Sequence, residues 1–284
     1  MAWIETVGVL LLALAGIGIG RWFAKKPYWI LGFVIPFFFL AVIGIARYIP
    51  GLEFFAPVSW LMSGRSEFAA IAIITTMLLT TPLSRGGTYR LTILVYIFLT
   101  CIIVYFSVLP FLLPGIIREN LLGLKTRFDQ KNVCLQSNGY NCGPAAAVTA
   151  LRRLGFTAEE GHLAVLAHTN PIAGTPPDSL CLAIQKHYAK EGLLCTYRKF
   201  KSISEMRGLE PVIAVVKYSF LVDHYVTILA ADNKTVTVGD PSLGFRKISH
   251  KEFQEVWRYR AIILQKTKPE PTSSHTLPRH PRQN

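Results

Sequence analysis

The chain has 284 residues, a net charge of +13 and 51% hydrophobic residues, and its two halves differ sharply in character. Residues 1–124 are strongly apolar, with 8 Lys/Arg against 4 Asp/Glu, whereas residues 125–266 read as a soluble domain with 19 against 12. No zinc-finger spacing, basic helix or RNA-binding aromatic motif accompanies the charge, which excludes nucleic acid as a partner and points to anionic lipid or an acidic substrate. The five cysteines, at 101, 134, 142, 181 and 195, form neither a CxxC pair nor a Cys/His cluster, so no metal or cofactor is expected.

Four apolar segments come first: Trp3–Gly20, Tyr28–Ala46, Phe68–Pro82 and Leu91–Pro110. Their lengths bracket the roughly 20 residues that cross a bilayer as a helix. The first lacks a basic leader and is followed by RWFAKK rather than a small-residue cleavage site, so it reads as a retained span. Arg21, Lys25 and Lys26 follow the first segment, and Arg85 and Arg90 separate the third from the fourth. Arg47 and Arg65 lie between the second and third, offset by Glu53 and Glu67. The positive-inside rule then puts the first and third loops in the cytoplasm and the C-terminal domain outside. Lys125, Arg127 and Lys131 pull the other way.

No segment carries a charge near its middle, so an ion path is not signalled. Gly16, Gly18, Gly20, Gly32 and Gly44 mark close helix packing, and Cys101 reads as a packed small hydrophobe. Phe111–Leu124 holds Pro114 and Gly115, then a short amphipathic stretch suited to lie along the interface.

In the soluble half, AAAVTALRRL predicts a helix that opens at Cys142-Gly143-Pro144 and stops at Gly155. Thr157–Glu160 has the form of a capping box for a second helix to about His168. The loop NPIAGTPP leads into a third helix, from Thr175 to about Lys190. A strand over Leu193–Phe200 and a helical turn at Ser202–Glu205 follow. Strands are then expected at Pro211–Lys217, His224–Ala231, Thr235–Gly239 and Arg260–Gln265, with a turn at Asp232-Asn233. Ser249–Glu252 caps one more helix, ending near Trp257. Helices first and an antiparallel sheet second make an α+β domain over 125–266. The Pro-rich tail 267–284 is expected to be disordered. Cys181 and Cys195 either meet across a helix–strand pair as a disulfide or remain two buried thiols.

A thiol at a helix N-terminus feels unpaired N–H groups and the positive end of the dipole, and both favour the reactive thiolate. Cys142 is therefore a candidate nucleophile. Of the seven histidines, His275 and His280 lie in the tail, His162, His168 and His187 read as surface groups on helices, and His250 falls in a capping box. His224 opens the strand HYVTILA and would face a cleft at a sheet end. Asp240 ends the next strand, and a hairpin turning at 232–233 brings it back beside His224, where it could orient the imidazole. Gln136, six residues before Cys142, is a candidate oxyanion donor together with the Cys142 backbone N–H.

QSNGYNCGPAA, the helical insert with its GTP loop, HYVTIL and VGDPSLG resemble, in that order, the bacteriocin-processing cysteine peptidases of the papain-like superfamily. Those domains remove double-glycine leader peptides and are often fused to ABC exporters. The resemblance covers roughly residues 130–265. It implies a papain-like fold with Cys142 as nucleophile, His224 as base, Asp240 as orienter and Gln136 as oxyanion donor. The residue before the nucleophile is often Asp in that family and is Asn141 here, which spares the thiolate a neighbouring negative charge. No GxxxxGK[ST] motif occurs, and the apolar half precedes the peptidase half, so a peptidase–exporter fusion is not expected and any exporter is a separate partner.

The expected protein is an α-helical transmembrane region of about four spans (1–124) followed by an α+β papain-like domain (125–266). It would cut peptide bonds by Cys-His-Asp chemistry, after small-residue or double-glycine sites. Its partners would be a peptide substrate and the lipid bilayer. A non-catalytic module that binds leader peptides is the alternative, and a transamidase shares the acyl-enzyme chemistry. A transporter with a regulatory domain has the least support.

Overall fold

The computed structural model describes residues 2–49, 52–61, 66–86, 89–219 and 222–266. The N-terminal part is helical: α1 (Ala2–Ala24), α2 (Leu31–Tyr48), α3 (Val58–Leu61), α4 (Ser66–Gly86) and α5 (Tyr89–Ile103). A π-helical stretch, Val104–Val108, joins α5 to α6 (Leu109–Ile116), and α7 (Arg118–Leu122) follows. Among the described residues, four helical stretches are long and apolar enough to cross a membrane: Ile4–Ala24, Leu31–Tyr48, Ser66–Gly86 and Thr92–Ile116. Each extends beyond the expected apolar run, because polar end residues such as Arg21, Arg47 and Arg85 continue the helix. The fourth does not end at Pro110. Pro110 follows the π-helical stretch in the first turn of α6, and Pro114 is also helical; the chain turns only at Ile117.

Helices α1 and α4 pack through small residues. A Cβ on Gly16 would run into Thr76 and stand 2.6 Å from the Ile73 carbonyl, and one on Gly20 would stand 3.1 Å from the Met77 carbonyl. Gly32 meets Phe23 and Thr81 in the same way, and its carbonyl accepts from Thr81 Oγ1–H at 3.0 Å. Gly18 and Gly44 differ from the expectation, for nothing lies within 4 Å of a Cβ at either. Cys101 is exposed on the outer face of α5, so it too is not the packed residue expected. Arg47 and Glu67, read from sequence as loop charges, sit on the ends of α2 and α4 and pair through Nε–Oε1 at 2.9 Å.

The C-terminal part opens with a small ribbon, β1 (Arg127–Phe128) and β2 (Cys134–Leu135). Then come α8 (Cys142–Arg153), α9 (Glu160–Leu166) and α10 (Pro177–Tyr188). Next are β3 (Leu193–Lys199), β4 (Val212–Ser219), β5 (Val222–Ala231), β6 (Thr235–Asp240) and β7 (Gly244–Ser249). The last elements are α11 (His250–Val256) and β8 (Trp257–Lys266). The six long strands form one antiparallel sheet in the order β3-β8-β4-β5-β6-β7. The fold is α+β, with helices first and sheet second.

Alternation divides the core in two. Ile213 and Val215 of β4 and Ile262 and Leu264 of β8 face α8, α9 and α10. Val212, Ala214 and Val216, with Ala261 and Ile263, face Phe253 of α11 and the helical turn at Ile203–Met206. The sheet is therefore covered on both faces.

Two local readings need correction. The expected capping box at Thr157–Glu160 does not form: Glu159 is the N-cap without a side-chain bond, and the helix starts at Glu160, whose carboxylate turns inward. Strand β7 has no counterpart among the expected strands. Its residues Phe245, Arg246 and Lys247 are exposed, so an edge strand carries no hydrophobic alternation to read. The Ser249–Glu252 capping box forms in full, and Asp232 closes the β5–β6 turn by accepting from Lys234 N–H and Thr235 N–H. The tail from Thr267, and Arg65, lie outside the described residues.

Candidate active site

Cys142 is the first residue of α8, with Gly143 and Pro144 behind it. Gly143 is there because the loop wall comes close: a Cβ would stand 3.1 Å from Thr175 Cβ. The helix lies on β5, anchored where Thr227 Oγ1–H donates to the Ala146 carbonyl at 2.7 Å. Small residues along its first two turns permit this approach. Cys142 is 8% exposed.

His224 is the third residue of β5 and is 7% exposed. Register pairs Thr227 with Gly239, so Asp240 at the end of β6 falls on the side of His224. The hairpin expected from the spacing is formed, and Nε2 of His224 stands 3.0 Å from Oδ1 of Asp240. Ser242 N–H (2.8 Å) and Leu243 N–H (3.3 Å) also donate to that oxygen, which fixes the carboxylate.

Burial alone would lower the pKa of His224, but hydrogen bonds to Asp240 and to Cys142 outweigh it and raise it to about 9. For Asp240, burial pushes up, and the His224 bond with the two backbone donors brings the carboxyl below its ordinary value. Cys142, His224 and Asp240 thus form one chain of interacting groups through His224.

Gln136 is adjacent to this chain. Its N–H donates to the Pro241 carbonyl at 2.9 Å, and its buried Oε1 has no hydrogen-bond partner. Three other histidines have partners elsewhere. His162 and His187 pack edge to face at 4.8 Å, and His250 Nε2 contacts the Asp232 carbonyl.

Two residues beyond the expected set organise the site. Glu160 is fully buried and accepts from Ser137 N–H (2.8 Å), Ser137 Oγ–H (2.7 Å) and Asn141 Nδ2 (3.1 Å). It clamps the loop that joins Gln136 to Cys142. Asn141 is also fully buried, and its place as donor explains why Asn rather than Asp precedes the cysteine. An Asp there would set two carboxylates against each other. The second is Tyr225, whose hydroxyl donates to the Thr175 carbonyl at 2.6 Å and ties the 168–175 loop to β5. The signal for Glu160 was its place in a sequence motif for capping, which named a different partner.

Cys134 contrasts with Cys142. It is fully buried, and burial together with nearby Glu160 pushes its thiol up to about 12, an inert state. Cys181 of α10 and Cys195 of β3 form a disulfide, with Cα atoms 5.6 Å apart. It forms part of a groove of about 460 Å³ that also takes in Asp178, Leu182, Gln185 and Tyr197.

Residues 130–269 match the Peptidase C39 family. An uncharacterized protein of Methanothermobacter marburgensis is 29% identical over 143 residues, covering 50% of this chain and 94% of its own. A relative from Methanothermobacter thermautotrophicus is 28% identical over the same length. Among solved structures, a double glycine motif protease from an AMS/PCAT transporter, in complex with the leader peptide, is 18% identical. It covers 50% of this chain and 93% of its own, with a TM-score of 0.40. The peptidase domain of Streptococcus ComA, a bi-functional ABC transporter of a quorum sensing pathway, is 23% identical. It covers 47% and 96%, with a TM-score of 0.42. Over residues 130–269 the C-terminal half thus resembles the Peptidase C39 family.

Proposed function

We propose that the chain is a membrane-anchored cysteine peptidase, with residues 1–124 as the anchor and 125–266 as the catalytic domain. The observation that carries this is the 3.0 Å contact of His224 with Asp240, with Cys142 at the start of α8 among the groups that raise the His224 pKa. Cys142 Sγ, as thiolate, attacks the scissile carbonyl carbon. The S–C bond forms and the carbonyl π electrons move to oxygen. The Cys142 backbone N–H at the helix start and the Gln136 side-chain amide hold that oxyanion. His224, protonated at neutral pH, gives its proton to the leaving amine as the C–N bond breaks. Water then attacks the thioester, His224 takes its proton, and the carboxylate leaves with Cys142 regenerated. Asp240 keeps the ring oriented throughout. The likeness to double-glycine proteases supports small residues before the scissile bond.

The catalytic domain lies on the non-cytoplasmic face. Lys/Arg at 21, 25, 26, 85 and 90 on the opposite loops support this, and the Cys181–Cys195 disulfide adds a second reason, because such bonds persist in oxidising compartments. The test runs iodoacetamide alkylation and hydrolysis of Gly-Gly peptides on separate samples of the full chain in detergent. Wild type should label at Cys142 and cut, and Cys142→Ala should do neither. An inert Cys142 would favour the peptide-binding module instead.

A further inference from the structure

The loop beside Cys142 touches the anchor, and the start of β5 lies within electrostatic reach of it. The first wall of the cleft is the 168–175 loop, which lies against Gly143 and is tied to Tyr225. Asn170 in that loop places Nδ2 3.5 Å from the carbonyl of Pro110. Pro110 stands near the start of α6, about 9 Å of helix before its last residue at 1.5 Å per residue. The loop therefore reaches down the side of the fourth span.

The second wall is the start of β5. Asp223, next to His224, pairs with Arg258 Nε at 2.8 Å and with Arg260. Arg47, at the end of α2 and paired to Glu67 of α4, lies within electrostatic reach of both Asp223 and Arg260. At the far edge of the sheet β3 also meets the anchor: Tyr197 packs on Phe54 with ring centroids 5.2 Å apart, and Lys199 Nζ stands 6.0 Å from the Phe55 ring. The end of α2, the start of α4, the segment at 52–55 and α6 all belong to one end of the helical bundle. The rim on the β5 side is apolar and open: Tyr218, 72% exposed, stands 5.7 Å from the His224 ring, and Val222 is 50% exposed. Tyrosine and aliphatic side chains of this kind suit a membrane interface.

Resting on the peptidase reading above, we infer that the substrate is a membrane-tethered peptide, cut a short distance from the bilayer, that enters the cleft between the catalytic domain and the anchor. A freely diffusing peptide must find a narrow gap against the membrane surface. A tethered one is held in the plane of the cleft, and a short link to the bilayer raises its effective concentration there. Extended chain spans at most about 3.5 Å per residue, so a spacer of about four residues reaches some 14 Å. A domain of this size is about 35 Å across, so the same spacer fails to reach a cleft on the far side.

The test uses the full chain in proteoliposomes and Gly-Gly chloromethyl ketone as the probe. The probe is presented free, or joined to a palmitoyl anchor through a spacer of about 4 or about 30 residues at equal surface density. Alkylation of Cys142 is followed by peptide mapping, which separates it from the exposed Cys101. The expected result is labelling at least about tenfold faster with the short spacer than with the long one. Labelling by the long-spacer probe as fast as, or faster than, by the short one would overturn the inference while leaving a reactive Cys142 and the peptidase reading intact. Absence of Cys142 labelling by every probe, the free one included, would overturn the peptidase reading and the inference with it.

Discussion

Nε2 of His224, not Nδ1, faces Oδ1 of Asp240, at 3.0 Å. The nitrogen left for the Cys142 thiol is therefore Nδ1. This arrangement sets the protonation of the site and gives the first prediction.

Asp240 and Cys142 raise His224 to about 9 from an ordinary 6.5, so the imidazolium persists through neutral pH. Activity should fall on the alkaline side near pH 9 as that proton is lost. Asp240→Asn should move the alkaline limb of kcat/KM to lower pH and reduce its plateau by roughly two orders of magnitude. The same linkage bears on stability. A raised folded pKa contributes stability that is complete below 6.5 and lost as pH climbs through about 9, so Asp240→Asn should destabilise at pH 6 more than at pH 10. A pH–rate profile and thermal melts at the two pH values check both.

Asn141 donates to Glu160, so Asn141→Asp should place two buried carboxylates together. One of them must then take a proton to remain buried. The variant should melt well below wild type at pH 7, with the deficit shrinking toward pH 5. Adding Glu160→Gln should restore much of the loss. Equal deficits at both pH values would show that Glu160 does not face residue 141.

Packing of the anchor predicts a contrast between neighbouring glycines. Gly16→Leu should destabilise the full chain in detergent, because its Cβ already meets Thr76 and the Ile73 carbonyl. Gly18→Leu, with nothing within 4 Å, should be tolerated. The expected difference is on the order of 1–3 kcal/mol, the usual cost of overpacking, read as a difference in melting temperature.

The disulfide gives a prediction about compartment. If the catalytic domain faces an oxidising space, Cys181 and Cys195 should resist alkylation in the unreduced, denatured chain, while Cys101, Cys134 and Cys142 react. Cys181→Ser should cost about 3 kcal/mol for a closed loop of this length. Cys134 is no substitute as a topology label in the folded chain, since it is fully buried.

Much of this was legible in the residues. His224 and Asp240 sit where a hairpin about Asp232-Asn233 must bring them, and Cys142-Gly143-Pro144 has the chemistry of a helix start. Four apolar runs gave four long helices. What escaped the sequence depended on contacts between distant segments. Glu160 has the spacing of a capping residue, but the 137–141 loop competes for its carboxylate and wins because both are buried. Gly18 and Gly44 share the composition of Gly16, and only helix rotation decides which faces a neighbour. The contacts of Asn170 with Pro110, 60 residues earlier, and of Tyr197 with Phe54 have no local pattern at all. They join the C-terminal domain to the helical part.

The central claim is that Cys142 forms a thioester with a peptide substrate. Its most direct measurement is intact-mass analysis of the full chain, quenched in acid within the first turnover of a Gly-Gly peptide. The account predicts an adduct of the acyl portion on Cys142 that hydroxylamine removes, present in wild type and absent in Cys142→Ala. Peptide cleavage that survives in Cys142→Ala, with no adduct in wild type, would contradict it.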